Sequence, residues 1–419
     1  MGRWLRAAAL VLGLAPLVAG CGLGPQPLPG LTPRTSTILY VAIGVGDATR
    51  IDSTLRSALG EKLEALEKLY ADLRPGVKLE LLIFEEERLL AEVRRRTRSG
   101  LAPDLILAEG SIAQQLHQEG LTRTVPFPNP SSDQLSPSLI PFAQVDARHL
   151  FAVPVGYAPQ LACFDRRRMA QPPATMQALL TASSEGQSFG FKLDLGDLAW
   201  TLGSLGALES FTAIRAGSPA TEEHVSRIRQ WLLWLQTANL QQRITLAGPD
   251  ANLGDGLLDG TYAWITCRSS DQTYLHAQLG DDLGLAPLPA GSQGQPSPVS
   301  VLLMWAYGRN SSPVQRQAAE ELVRFSLNPP VQRAMTLRGR TLLPVSREAP
   351  LPVASSTRLA ALVTAQQQAQ DARARISQLL VMRNREEDFN RILIAFHYGN
   401  LGVDEATDAL VRLLQSPSP

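Results

Sequence analysis

At 419 residues the chain exceeds the roughly 250 at which a single core stops growing, and its 44% apolar content supplies real cores, which excludes a disordered protein. Lysine plus arginine and aspartate plus glutamate both total 39, so no net field draws the chain to nucleic acid or to an anionic membrane surface. The partner this balance predicts is small, or specific and local.

The first residues predict a processing segment. Arg3 and Arg6 form a basic start, "AAALVLGLAPLVA" is an apolar stretch too short to span a bilayer, and "VAGC" is a small-residue site ending at Cys21. This is the pattern of a bacterial lipoprotein, with residues 1–21 as signal peptide and Cys21 lipidated as the mature N-terminus. The competing reading is an ordinary secretory peptide with an incidental cysteine; Ala19 and Gly20 abutting Cys21 weigh against it. Residues 22–34 are Gly/Pro-rich and read as a flexible tether. No later stretch is apolar for long enough to cross a membrane, so the body is expected outside the cytoplasm, held to the membrane by its anchor. In that oxidising setting Cys163 and Cys267 can pair, provided folding brings their Cα atoms within about 7 Å.

Strand and helix signals then alternate. "STILYVAIG" is a β-rich run ending in glycine, and the next stretch carries Leu55, Leu59, Leu63, Leu66 and Leu73 at helical spacing. The strand "VKLELLIF", the charged helix "EEERLLAEVRRRTRSG", the short buried strand in "PDLILAEG" and the helix "SIAQQLHQEG" follow. This order predicts an α/β fold with an open, largely parallel sheet, whose loops beyond the strand ends are the natural place for a ligand. After a Pro-rich stretch at 126–141, "LFAVPVGYAPQLACFDRRRM" predicts two extended segments on either side of Gly156 to Pro159. A second helix- and strand-rich region runs to residue 270 and includes the amphipathic "EEHVSRIRQWLLWLQTANL". A Pro/Gly-rich passage then leads into "VSVLLMWAYG", so the chain is expected to pass between two lobes more than once.

Seven stretches in order carry a family resemblance: "RPGVKLELLIF", "RRTRSGLAPDLILAEGSIAQQLHQEGLTRTV", "LFAVPVGYAPQLACFDRRRM", "LLDGTYAWITCRSS", "LGLAPLPAG", "AAEELVRFSLNPPVQRAMTLRGRTLLPV" and "FNRILIAFHYGNLGVDEATDAL". Behind a lipoprotein signal, they resemble extracellular solute-binding proteins of family 1, the maltose-binding-protein-like subunits of ABC importers. The resemblance implies a two-lobed periplasmic-binding-protein fold, type II-like, with a hinge and an interlobe ligand cleft. It places lobe 1 at 35–157 plus 287–343 and lobe 2 at 158–286 plus 344–419. It implies capture of a small polar solute, a sugar, sugar derivative or polyol, for delivery to ABC permease subunits, by a monomer that uses no cofactor and no metal.

The resemblance also nominates cleft residues, each with a plainer alternative. Glu109 and Ser111 follow "PDLIL", where a carboxylate and a hydroxyl suit sugar hydroxyls, although Glu109 equally suits a solvated loop end. Asp47, in "GVGD" after the first strand, sits where Gly44 and Gly46 would let backbone approach a ligand, or simply make a turn. Tyr157 offers a ring and a hydroxyl, or packs the hinge; Trp200 is a stacking ring or core. Ser270 falls near the position of the tryptophan that stacks on sugar in maltose-type members, which weakens a maltodextrin reading. Arg268, beside the cleft, carries a planar fork of donors suited to an anionic sugar derivative or a polyol, or else makes an interlobe salt bridge.

No H-E-x-x-H, G-x-S-x-G or Walker pattern occurs, and the five histidines are scattered, so the chain is expected not to be an enzyme. The alternative function is a ligand-sensing or scaffold lipoprotein that keeps the clamp without transport.

Overall fold

In the computed structural model, residues 37–45, 67–68, 70–72, 74–339, 341–346, 348–380 and 383–416 are described. Cys21, Asp47 and most of the leucine-rich stretch 51–73 lie outside them. The long strands are β1 (Thr37–Val45), β2 (Val77–Glu85) and β3 (Leu105–Glu109). Four short strands follow, β4 (Thr122–Arg123), β5 (Val125–Pro126), β6 (Gln144–Asp146) and β7 (His149–Leu150), and then the long β8 (Val153–Asp165). The remainder are β9 (Phe189–Lys192), β10 (Ile244–Ala247), β11 (Trp264–Arg268), β12 (Leu283–Ala286), β13 (Ser300–Gly308) and β14 (Leu343–Pro344).

The main sheet runs β10-β9-β11-β8-β13-β3-β1-β2, with β12 and β14 also on β8 and β4 on β13. At one end β1 pairs in parallel with β2 and β3; at the other β9 pairs in parallel with β10 and β11. Between these two parallel groups lies β8, buried along its whole length. Its first part, to Pro159, pairs antiparallel with β13; from Gln160 it pairs with β11, and from Ala162 also with β12.

The sequence predicts two extended segments here, and the chain instead makes one continuous strand. Gly156 and Pro159 do not break it. A register shift between Leu303 and Met304 of β13 absorbs the irregularity opposite Gly156, so pairing resumes on both sides.

Helices form where caps and apolar faces agree. The helix Glu222–Asn239 begins at Thr221, whose hydroxyl accepts from the His224 N–H at 3.3 Å, and two glutamates occupy its first turn. Its buried face, Ile228, Trp231, Leu232 and Leu235, follows the spacing read in the sequence. The helix Pro313–Leu327 starts with a reciprocal cap between Ser312 and Gln315 and a proline in its first turn.

The apolar core of the β9–β11 group contains Phe189, Phe191, Trp200, Trp231 and Trp264, with Phe191 between Trp200 and Trp264 at centroid distances of 6.1 and 5.4 Å. Burying a large side chain of this kind contributes about 1.5–3 kcal/mol. A second core straddles β8 and takes in Tyr157, Trp305 and Tyr307.

Candidate functional site

Three parallel strands, β9, β10 and β11, end side by side at Lys192, Ala247 and Arg268. Beyond their carboxyl ends lies a cavity of about 270 Å³, where open α/β sheets place ligands. The helix Leu195–Ser204 starts on its wall, capped by Asp194, whose carboxylate accepts from the Asp197 N–H at 2.7 Å. Gln160, from the crossing strand β8, and Thr266, from β11, add to the polar lining, as do Lys192, Arg268, Asp271 and Asn390.

Asp197 organises this wall. Its Oδ2 accepts from the Thr266 hydroxyl at 2.6 Å and the Lys192 N–H at 2.6 Å, and its Oδ1 accepts from Gln160 Nε2 at 2.9 Å. One carboxylate thus joins β8, β9 and β11. Burial, with the Asp194 charge adding to it, pushes the Asp197 carboxyl up to about 6, against the pull of the Thr266 and Lys192 hydrogen bonds. Gln160 is itself held, its Oε1 accepting from the Val299 N–H at 3.2 Å. Asp194, Asp197, Gln160 and Thr266 were not nominated from the sequence. The available signal was "DLGD", two carboxylates three residues apart at a helix start, which reads first as a cap.

Two nominated residues meet each other. Arg268, at the end of β11 and on the cavity wall, donates from Nη1 to Glu109 Oε1 at 2.9 Å; their side chains are 31% and 18% exposed. The pair joins the strand end of one parallel group to that of the other. Each partner is anchored from behind. The Arg268 N–H donates to Asp271 Oδ2 at 2.8 Å, and the Glu109 N–H donates to Glu86 Oε1 at 2.9 Å. Glu86 is buried and occupies the space left by Gly44, where a Cβ would fall 1.8 Å from Glu86 Oε2. The openness of Gly44 therefore accommodates a side chain of the same chain, not a ligand.

The other nominations separate. Ser111 is exposed in the first turn of the helix Gly110–Gln118. Ser270 lies partly buried in the short turn after Arg268. Two need correction as ligand groups. Tyr157 is 3% exposed because its ring packs into the apolar core that straddles β8, which leaves no ring face for a ligand. Trp200 is fully buried because its helix turns it inward onto Phe191 and Trp234, so it offers no stacking surface. Cys163 and Cys267 form a disulfide with a Cα separation of 5.8 Å, and Cys267 lines the cavity.

A family profile described as "Bacterial extracellular solute-binding protein" matches residues 66–363. No curated protein sequence matches the chain. Among solved structures, the GacH receptor of Streptomyces glaucescens, crystallised unliganded and with acarbose, is 15% identical with a TM-score of 0.64, over 90% of this chain and 99% of that one. A solute-binding protein from Thermotoga lettingae bound to α-D-tagatose is 15% identical with a TM-score of 0.65, over 91% and 99%. MalX from Streptococcus pneumoniae, in complex with maltopentaose, is 14% identical with a TM-score of 0.64, over 90% and 99%. At these identities the likeness is one of fold, the two-lobed α/β fold of periplasmic binding proteins.

Proposed function

The chain belongs to the bacterial extracellular solute-binding proteins, and from that premise we propose that it is the substrate-binding lipoprotein of an ABC importer, capturing a sugar, sugar derivative or polyol and delivering it to a membrane permease. Family membership puts the protein outside the cytoplasm and among binding proteins. Lipidation at Cys21 would hold it at the membrane through buried acyl methylenes, each contributing about 0.8 kcal/mol.

The observation that carries the cargo assignment is the polar cavity beyond β9–β11, with Gln160, Asp194, Asp197 and Thr266 on its walls. Carboxylates and amides set at fixed positions accept from and donate to adjacent hydroxyls, the pattern a polyhydroxylated ligand presents. We divide the chain into lobe 1 at 35–157 plus 287–343 and lobe 2 at 158–286 plus 344–419. Closure of one on the other then holds Glu109 against Arg268 beside the ligand.

Thermal-shift screening of the folded protein against sugars, polyols, amino acids, polyamines and metals tests this reading. A ligand at 100 times its dissociation constant adds about 2.7 kcal/mol of stability. A saturable shift confined to sugars or polyols is the expected result; a shift confined to amino acids or metals refutes the cargo class.

A further inference from the structure

We infer that the Glu109–Arg268 ion pair is a latch: it holds the two lobes shut through the chain's own charges, and the clamp opens when the pair is screened or broken. The inference rests on the lobe division proposed above and not on the identity of the cargo.

The sheet register places the pair over the crossing point. Arg268 lies opposite Gln160 on β8, and Glu109 lies opposite Leu303 of β13, which itself faces Gly156 of β8. The two residues therefore flank the stretch from Gly156 to Gln160, which contains the proposed boundary between residues 157 and 158. The register of β13 shifts between Leu303 and Met304 at this same place, and an irregularity of that kind bends a strand.

Distance ties the pair to one arrangement of the lobes. The order β11-β8-β13-β3 separates the strands of Arg268 and Glu109 by three strand spacings, about 14 Å, and the offset along β8 adds about 13 Å at right angles. In a flat sheet these positions are farther apart than an arginine and a glutamate side chain can reach. Nη1 and Oε1 nevertheless meet at 2.9 Å, so the two halves of the sheet are turned toward each other. Opening the clamp relaxes this turn and draws the charges apart.

Both partners are held from behind, Glu109 by its N–H on Glu86 at 2.9 Å and Arg268 by its N–H on Asp271 at 2.8 Å. A second contact crosses the same boundary, where the Ser269 hydroxyl donates to the Thr341 carbonyl. That contact joins uncharged groups. The salt-dependent part of closure therefore belongs to the ion pair, whose side chains are exposed enough for dissolved ions to screen them.

Pulsed electron-spin distance measurement on the mature protein in detergent tests the latch. Spin labels are carried at Gln114→Cys in lobe 1 and Asp250→Cys in lobe 2, both exposed positions. At about 0.01 M salt, where the screening length is about 30 Å, one short distance is expected to dominate. At about 1 M salt, where it is about 3 Å, a longer distance should gain about fivefold or more in population. Glu109→Gln and Arg268→Gln should show the longer distance at both salt concentrations. Arg268→Lys keeps the charge and should keep the short distance together with its salt response. A distance distribution that salt leaves unchanged, with Glu109 and Arg268 both in place, overturns the inference and requires neither glutamine variant to fold. A salt response that persists undiminished in Glu109→Gln overturns it as well, because other charges then hold the lobes. Neither result bears on sugar capture, which the thermal-shift screen tests by itself.

Discussion

Replacing Glu109 and Arg268 by glutamine, singly and together, is the most direct perturbation of this site. At 2.9 Å and with side chains 31% and 18% exposed, the pair lies between an exposed bridge, at about 0.2–1 kcal/mol, and a buried one, whose rupture costs about 3–5 kcal/mol. Coulomb attraction near 4 Å at an effective dielectric of about 20 is roughly 4 kcal/mol, from which desolvation and the freezing of two side chains must be subtracted. A coupling energy of about 1–2 kcal/mol follows, measurable as the non-additive part of urea unfolding free energies in a double-mutant cycle. Because part of the attraction passes through solvent, the coupling should shrink at 1 M salt, where the screening length is about 3 Å. Each single variant removes the ion pair while keeping the backbone anchors, the Glu109 N–H on Glu86 and the Arg268 N–H on Asp271. Additivity within about 0.3–0.5 kcal/mol refutes the reasoning, because it means the two side chains lie together without holding the strand groups to each other.

Asp197 makes stability depend on pH in the sense opposite to a paired surface carboxylate. Its carboxyl is raised to about 6, so its contribution is fully present below about pH 4 and is lost as pH rises through about 6; the wild-type advantage over Asp197→Asn should decline across that window, and a flat difference refutes the assignment. Gly44→Ala places a methyl 1.8 Å from Glu86 Oε2 and should cost about 1–3 kcal/mol, read by urea denaturation, with an unperturbed midpoint as the contrary result. Converting both Cys163 and Cys267 to alanine releases strands β8 and β11 and opens a constraint spanning 104 residues. A loss of about 2–5 kcal/mol is expected by the same assay, and a change under about 0.5 kcal/mol would show that sheet pairing alone fixes these strands.

What could be read from the sequence was set by local periodicity. β1, β2 and β3 and the helix Glu222–Asn239 follow from alternation and 3.6-residue spacing, which are properties of neighbouring residues. The continuity of β8 was not readable, because Gly156 and Pro159 look like breakers until β13 and β14 are seen to flank them. Arg268 and Glu109 were each nominated, but their contact joins positions 159 apart and depends on two strand groups meeting at one edge. Trp200 shows the same limit from the other side. A tryptophan after a helix cap suits a cleft or a core equally, and only the packing of Phe191 and Trp234 against it decides.

The residues that sequence reading passed over are those that make the cavity a formed site. Asp197 accepts hydrogen bonds from three segments of the chain, so its carboxylate is fixed before any ligand arrives. A ligand therefore meets walls whose ordering was accomplished in folding, which lowers the entropy lost on binding. The same network limits what can bind. Acceptor positions already taken by Thr266, Lys192 and Gln160 are unavailable to cargo, so a hydroxylated ligand must bond to Asp197 through other lone pairs or turn to other polar groups of the wall. Selectivity in such a site follows less from its charged residues individually than from which of their hydrogen-bonding positions the fold has left open.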